Sequence, residues 1–426
     1  MTLLEELSWR GLLQQQTHET LSDVLEKGPM TLYCGFDPTA DSLHVGSLVP
    51  IIGLMHFQRA GHKPIALVGG GTGLIGDPSF KASERSLLTK EQVDLNVAGI
   101  RAQLERFIDF EGDNGALLRN NIDWLGSMTF IDFLRDVGKH FSVNVMLSKE
   151  SVRQRLEDRD QGISYTEFTY SLLQAYDFMQ LNETYDCKLQ IGGSDQWGNI
   201  VAGMDLTRRV RSTETYGLTL PLVTKSDGSK FGKSESGNIW LDSARTSPYK
   251  FYQFWLNQAD VDAAKYLKYF TFLDKETIGD LERQITEEPH KRAAQRRLAE
   301  EVTRLVHGES ALENAIKASQ AMFGGDLKGL DETTLSDIFS EVPSDTLNKS
   351  ILNEGRLLLD VLVELNIFTS KGEGRRLIKN GGLYLNSDRI DTEDRVLDGT
   401  ALLTEGMAIV RKGKKNYHLL RFQDAQ

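Results

Sequence analysis

Two short motifs, His44-Val45-Gly46-Ser47 and Lys230-Phe231-Gly232-Lys233-Ser234, hold the residues whose types and spacing could do chemistry. The first follows an apolar, strand-like run at 31–34 and opens a helical pattern. Backbone N–H groups and the helix dipole favour an anion at such a point. The second sits in a glycine-bearing loop, where Gly232 permits the bend that lets two ammonium groups converge. The pair suits nucleotidyl transfer onto a carboxylate. One motif would steady a triphosphate and the other would neutralise charge on departing pyrophosphate. A turn, Asp37-Pro38-Thr39, leads into His44, which argues against a plain core histidine.

Other polar residues recur at useful spacing. Tyr170, Gln174 and Asp177 are i, i+4 and i+7, so they share one helix face. A stripe of Tyr, Gln and Asp suits a small polar ligand better than it suits a solvated face, which more usually carries Lys and Glu. Gly193-Ser194-Asp195-Gln196 follows a strand-like run at 188–191, where a glycine and an acid are well placed for ribose hydroxyls. Gly71-Thr72-Gly73-Leu74-Ile75-Gly76 matches the dinucleotide fingerprint in letters. However, Asp77-Pro78 follows at once, where the fingerprint requires a helix. A turn delivering Asp77, Lys81 and Arg85 to the mouth of a site is expected instead. Cys34 fits either a ligand pocket, with Gly35, or the core as a small hydrophobe. Near the C-terminus, Lys371, Arg375 and Lys379 share a helix face with Arg376 alongside, and Arg411-Lys412-Gly413-Lys414-Lys415 forms a basic hairpin tip. Phosphate contacts need such local density of cations. Lys149, Arg208 and Arg209 are weaker nucleic-acid candidates.

Alternating apolar strands and helical patterns in the first half predict a parallel α/β sheet, with strands at 31–34, 65–68, 188–191 and 218–223. Residues 92–159 read as mainly helical. From 248 to about 322 apolar residues recur at helical spacing, as in Phe251, Phe254 and Trp255. Residues 324–350 mix Gly, Asp, Ser, Thr and Pro343 and read as a linker with one short helix at 333–339. The last segment reads as two helical stretches followed by strands at 383–385, 408–410 and 417–420. At 426 residues, with 40% hydrophobic and 26% charged, two or three domains of an ordinary globular protein are expected. No apolar run reaches bilayer length, and residues 1–11 carry Glu5 and Glu6 rather than a basic leader, so a cytoplasmic location is expected. Cys34 and Cys187 are the two cysteines, which fits a reducing compartment. The net charge of −12 makes the two C-terminal basic patches conspicuous. The eight histidines show no metal spacing.

The two opening motifs resemble the HIGH and KMSKS signatures of class I aminoacyl-tRNA synthetases. With Tyr33-Cys34-Gly35-Phe36-Asp37-Pro38-Thr39 and Ile191-Gly192-Gly193-Ser194-Asp195-Gln196-Trp197, the chain resembles the bacterial tyrosyl-tRNA synthetases from end to end. The resemblance implies a Rossmann-like α/β catalytic domain over 1–225 with a helical connective insertion. The KMSKS-type loop and connection follow at 226–247, a helical domain at 248–323, a linker at 324–352 and a small α+β, S-four-type RNA-binding domain at 353–426. It implies activation of L-tyrosine with ATP, Mg²⁺ arriving with the nucleotide, then transfer to tRNA(Tyr) by a homodimer. Thr39, His44, Lys81, Arg85, Lys230 and Lys233 would serve the phosphates during the reaction. Tyr33 and Asp177 would take the phenolic hydroxyl of tyrosine; Tyr170, Gln174 and Asp77 its amino group; Gln196 would lie near its carboxylate. Cys34, Gly35, Asp37, Gly46, Ser47, Gly193, Asp195, Phe231 and Gly232 would complete the ATP site. Lys371, Arg375, Arg376, Lys379, Arg411, Lys412, Lys414 and Lys415 would bind tRNA. Ser47 departs from the signature's second histidine, and Phe231-Gly232 replaces the class pattern's Met-Ser. A tryptophanyl enzyme, a small-molecule nucleotidyltransferase and a non-catalytic RNA-binding paralogue are the alternatives.

Overall fold

The computed structural model describes every residue except 78–86, 150, 151, 154, 155, 157–161, 229, 230, 235, 236, 322–324, 341, 414, 415, 425 and 426. It divides into two compact units, 1–242 with 258–298, and 243–257 with 299–426. The helical stretch 248–323 is therefore shared between them.

The first unit is built on a sheet of six strands: β1 (Gln15–Gln16), β2 (Thr31–Phe36), β3 (Lys63–Val68), β4 (Leu117–Asn120), β5 (Cys187–Gly193) and β6 (Tyr216–Leu220). The order is β1-β6-β5-β2-β3-β4, with β1 antiparallel and all other pairings parallel. Helices cover both faces, so β3 and β6 read as nearly continuous buried apolar runs rather than alternating ones. Helix Leu48–Arg59 buries residues all around its circumference, including Leu48, Ile51, Ile52, Leu54 and Phe57. Pro50 falls in its first turn, where the missing N–H costs nothing. On another face, helix Tyr165–Tyr185 is capped by Ser164, whose side chain accepts from Glu167 N, and it packs against helix Trp197–Arg211. The chain progresses outward in two directions from β2. The carboxyl ends of β2 and β5 therefore flank a topological switch point, the crevice where α/β sheets bind ligands.

The stretch 92–159 is mainly helical among the described residues, as expected, but strand β4 interrupts it. Leu-Leu-Arg-Asn is short and half polar, and its pairing with β3, Ile65 opposite Leu117 through Val68 opposite Asn120, makes it a strand.

In the second unit a sheet is formed by β9 (Ser344–Asn348), β10 (Leu383–Leu385), β11 (Asp388–Arg389), β12 (Met407–Lys412) and β13 (Asn416–Gln423), where β7 and β8 are the short strands Lys233–Ser234 and Gly237–Asn238 of the first unit. The order is β11-β10-β12-β13-β9, with β9 parallel to β13. Helices Leu358–Glu364 and Lys371–Lys379 pack on it through Leu359, Leu362 and Ile378. The stretch expected as a linker is built into this unit. Leu327, Leu330, Leu335, Ile338 and Phe339 are buried in one cluster with Met407, Ile409 and Leu419, and β9 completes the sheet edge.

Candidate active site

At the carboxyl ends of β2, β3, β4 and β5 lies a cavity of about 620 Å³, large enough for an amino acid and part of a nucleotide. It is lined by Tyr33, Cys34, Gly35, Asp37, Thr39, His44, Gly46, Ser47, Asp77, Tyr170, Gln174, Asp177, Gly193, Asp195, Gln196 and Phe231. Five sequence-predicted residues, Lys81, Arg85, Lys230, Lys414 and Lys415, lie outside the described residues.

The deep end is made by Tyr33 and Asp177. Tyr33 is buried against Phe178, its ring edge-on at 5.3 Å. Among the described residues, no protein group pairs with its hydroxyl. Burial, reinforced by the nearby Asp177 charge, holds its pKa well above the usual phenol value, so it is a donor at neutral pH. Asp177 is 2% exposed. Its Oδ1 accepts from Trp124 Nε1 at 2.7 Å and its Oδ2 from Asn121 Nδ2 at 2.9 Å. Burial lifts its pKa to about 7 against those two donors, which favour the charged form.

In the middle of the cavity, carboxylates are threaded together. Tyr170 donates from its hydroxyl to Asp37 Oδ2 at 2.9 Å, while Thr72 Oγ1 donates to Asp37 Oδ1 at 2.9 Å. Gln196 Nε2 donates to Asp77 Oδ2 at 2.8 Å and to Asp195 Oδ2 at 3.2 Å, and its own Oε1 accepts from Asn199. A ring of acids and hydroxyls of this kind suits an ammonium group. The glycine turn after β3 forms a single 3₁₀ turn, Thr72–Leu74. Its N–H groups are already used: Gly70 donates to Asn120 Oδ1 at 3.0 Å and Gly71 to Asn121 Oδ1 at 2.7 Å. The N–H cradle of a dinucleotide site is therefore absent here.

At the mouth, His44 caps the turn Val45–Ser47, and its Nδ1 accepts from Gly46 N at 3.0 Å. Partial desolvation lowers its pKa below the ordinary value, so the ring is neutral at pH 7. With Nδ1 accepting, the proton resides on Nε2, which remains a donor. Cys34 is buried and also lines the cavity, so both expectations for it apply at once; burial, then the Asp195 charge, push its thiol up to about 12. Gly232 is buried beside the His44 turn, and its carbonyl accepts from Ile239 N, whose own carbonyl accepts from Val45 N. Its φ of +77° and a Cβ position 2.7 Å from Val45 Cγ2 together require glycine. Lys233 is exposed, in β7, and does not line the cavity.

Four further residues join the site without having been expected from the sequence: Asn121, Trp124, Thr72 and Gln190. The first two follow the unrecognised β4, and an Asn-Asn pair at a strand's carboxyl end was the available signal. Gln190, opposite Tyr33 in the sheet, lines the cavity with its buried Oε1 unpaired among the described residues.

In the second unit, two of the three cations spaced along helix Lys371–Lys379 already have carboxylate partners: Lys371 pairs with Asp360 and Arg375 with Glu393. Arg376 and Lys379 are exposed. Arg411 lies 3.8 Å over the Tyr384 ring, and Lys412 Nζ donates to Ile367 O. In the first unit Arg208 and Arg209 both pair with Asp205, and burial lowers the Lys149 pKa to about 8.

Comparison with known proteins places this architecture. Residues 25–324 match the model of class I tRNA synthetases (W and Y), and residues 334–420 match the tyrosine–tRNA ligase SYY-like C-terminal domain. The chain belongs to the tyrosyl-tRNA synthetase family. A C-terminally truncated mitochondrial tyrosyl-tRNA synthetase of Coccidioides posadasii is 30% identical, covering 74% of this chain and 91% of its own, with a TM-score of 0.65. That of Aspergillus nidulans is 29% identical over 76% and 94%, with a TM-score of 0.69. A tryptophanyl-tRNA synthetase of Plasmodium falciparum shares the fold at 13% identity and a TM-score of 0.52. The activity of this synthetase is that of a tyrosine–tRNA ligase, using ATP to form aminoacyl-tRNA.

Proposed function

We propose that the cavity seats L-tyrosine with its phenol at the Tyr33–Asp177 end and its amino group among Asp77, Tyr170 and Gln174. The observation that carries this reading is the buried Tyr33 hydroxyl, unpaired by protein among the described residues, close to a buried carboxylate. A phenol entering there would accept from Tyr33 and donate to Asp177. Asp37 joins the amino-group cluster through its bond from Tyr170. Gln196, bonded to both Asp77 and Asp195, stands between amino acid and ribose. ATP would lie across Cys34, Gly35, Gly193 and Asp195 toward the His44 turn, carrying its Mg²⁺ on the phosphates.

The tyrosine carboxylate then attacks the α-phosphorus, forming tyrosyl-adenylate as the bond to pyrophosphate breaks. The Nε2–H of neutral His44 and the hydroxyl of Thr39 donate to the phosphates, and Lys230 and Lys233, with Lys81 and Arg85, balance the charge of the leaving group. These groups act by position and charge rather than by covalent bonding. Ser47, shorter than histidine, reaches the ribose through water. Transfer to the 3′ end of tRNA(Tyr) follows, with Arg376, Lys379, Arg411 and Lys412, together with Lys414 and Lys415, on the RNA phosphates. The exposed pairs of Lys371 and Arg375 are weak enough for phosphate to replace their carboxylates. A homodimer is supported by Phe130, Ile131, Val143, Val145 and Tyr165, all more than half exposed. A bacterial-type enzyme rests on the sequence resemblance alone, and its place in the cytoplasm on two free, buried thiols, which suit a reducing compartment. Equilibrium binding of tyrosine, phenylalanine and O-methyltyrosine tests the seating. Tyrosine should bind far more tightly than both, and equal affinity for phenylalanine would overturn it.

A further inference from the structure

Helix Asp260–Phe270 holds the segment that leads to Gly232 and Lys233 at three points, Thr224, Ser226 and Phe231. At the root, Asp262 is 4% exposed, and its carboxylate takes both bonds that Ser226 can offer: Ser226 N to Oδ1 at 3.0 Å and Ser226 Oγ to Oδ2 at 3.1 Å. One turn along, Lys265 Nζ and the Tyr266 hydroxyl both donate to Thr224 O, at 3.3 and 3.4 Å. Near the far end, Phe231 stacks on Phe270 at 5.5 Å and 15°, and tilts against Tyr266 at 5.0 Å. The helix is itself fixed. Buried Arg10 donates to the carbonyls of Thr271 and Leu273 at its C-terminal end, at 2.9 and 2.8 Å, where a cation also suits the dipole.

This arrangement exceeds what loop attachment alone requires. A buried carboxylate is costly unless its lone pairs are filled, and Asp262 fills both oxygens from one serine. The serine so held is six residues before Gly232, whose carbonyl is linked through Ile239 to the backbone of Val45 in the His44 turn. Thr224 and Phe231 line the cavity as well. We infer that Asp262 is a positioning residue for the ATP step: by fixing Ser226 it sets where Gly232 and Lys233 stand relative to His44, while touching no substrate itself.

The test is tyrosine-dependent ATP–pyrophosphate exchange by the full chain carrying Asp262→Ala, with tyrosine affinity and Tm measured alongside. A displacement of about 1 Å in a charge-stabilising group costs up to about 100-fold, so kcat should fall between about tenfold and 100-fold. Tyrosine Kd should stay within about twofold, because the phenol and amino-group sites lie on other elements. Asp262→Asn should recover most of the rate, since its amide oxygen still accepts from Ser226 N and its NH₂ can donate to Ser226 Oγ. In the Asp262→Ala background, Ser226→Ala should cost nothing further. A wild-type rate in Asp262→Ala, a tyrosine affinity that falls as far as the rate, or full additivity with Ser226→Ala would overturn the inference. The inference rests on ATP lying at the His44 turn. If that placement is wrong, Lys233→Ala and Asp262→Ala both leave the ATP step unchanged; if only the anchoring role is wrong, Lys233→Ala still slows it. Should Asp262→Ala fail to fold, Asp262→Asn and the single Ser226→Ala carry the same comparison.

Discussion

Tyrosine binding should weaken about tenfold between about pH 8 and about pH 6, because Asp177 titrates in that window. The carboxyl is 2% exposed, and the groups bonded to it, Asn121 and Trp124, are neutral donors. Burial raises its pKa further than those bonds lower it, and the balance is about 7. A phenol that donates to Asp177 binds the ionised form. The ionised fraction is roughly 0.9 one unit above that midpoint and roughly 0.1 one unit below, which gives the tenfold ratio. The sign for stability is the reverse. Because the folded pKa lies above the unfolded value, the native state binds more protons between the two. The contribution of Asp177 to stability is therefore full below about pH 4 and lost as pH rises through about 7, a loss of roughly 4 kcal/mol. Tyrosine returns part of it by binding the charged form, so ligand stabilisation grows with pH. Calorimetric titration of tyrosine across this range, for wild type and Asp177→Asn, is the assay. Asparagine cannot titrate, so the variant's affinity should be lower and flat. A wild-type affinity that does not change with pH, or the same slope in both proteins, would refute the assignment of Asp177 to the phenol.

Tyr33→Phe should lower discrimination against phenylalanine by up to about tenfold, the worth of one neutral hydrogen bond. Tm should change little, since no described protein group loses a partner; an unchanged kcat/KM ratio for the two amino acids would remove Tyr33 from the site. Lys233→Ala should slow adenylate formation while leaving tyrosine Kd nearly intact, because its charge matters only as pyrophosphate departs; single-turnover kinetics separates the two. Truncation at Ser344 should do more than weaken tRNA charging. It removes β12 and β13, which cover Leu335, Ile338 and Phe339, so the shortened chain should bind a hydrophobic dye and melt earlier, and a dye-silent truncated protein would contradict the packing.

What the sequence discloses depends on how local each feature is. Strands β2 and β3 are legible because burial on both faces writes a run of apolar residues, as in Ile65-Ala66-Leu67-Val68, and β5 because Leu189 and Ile191 alternate with Lys188 and Gln190. Tyr170, Gln174 and Asp177 declare their common face through helical spacing alone. Strand β4 has no such signature, and its partner β3 lies about 50 residues earlier in the chain. Asn121 and Trp124 are hidden with it, although they donate to Asp177 and hold its pKa down against the larger effect of burial. Ser-Asp-Thr-Leu-Asn of β9 is polar and turn-like in composition, and only its pairing along β13 makes it a strand. Basic spacing on helix Lys371–Lys379 was readable, but the acids that answer it, Asp360 and Glu393, come from other elements. Nor could spacing show that Lys265, Tyr266 and Asp262 all turn toward the segment before Gly232.

The most direct test of the central claim is ATP–pyrophosphate exchange by the full chain with tyrosine, phenylalanine and tryptophan supplied separately. Exchange should be rapid with tyrosine, small with phenylalanine and no higher than background with tryptophan. Exchange driven by tryptophan, or silence with tyrosine, would contradict it.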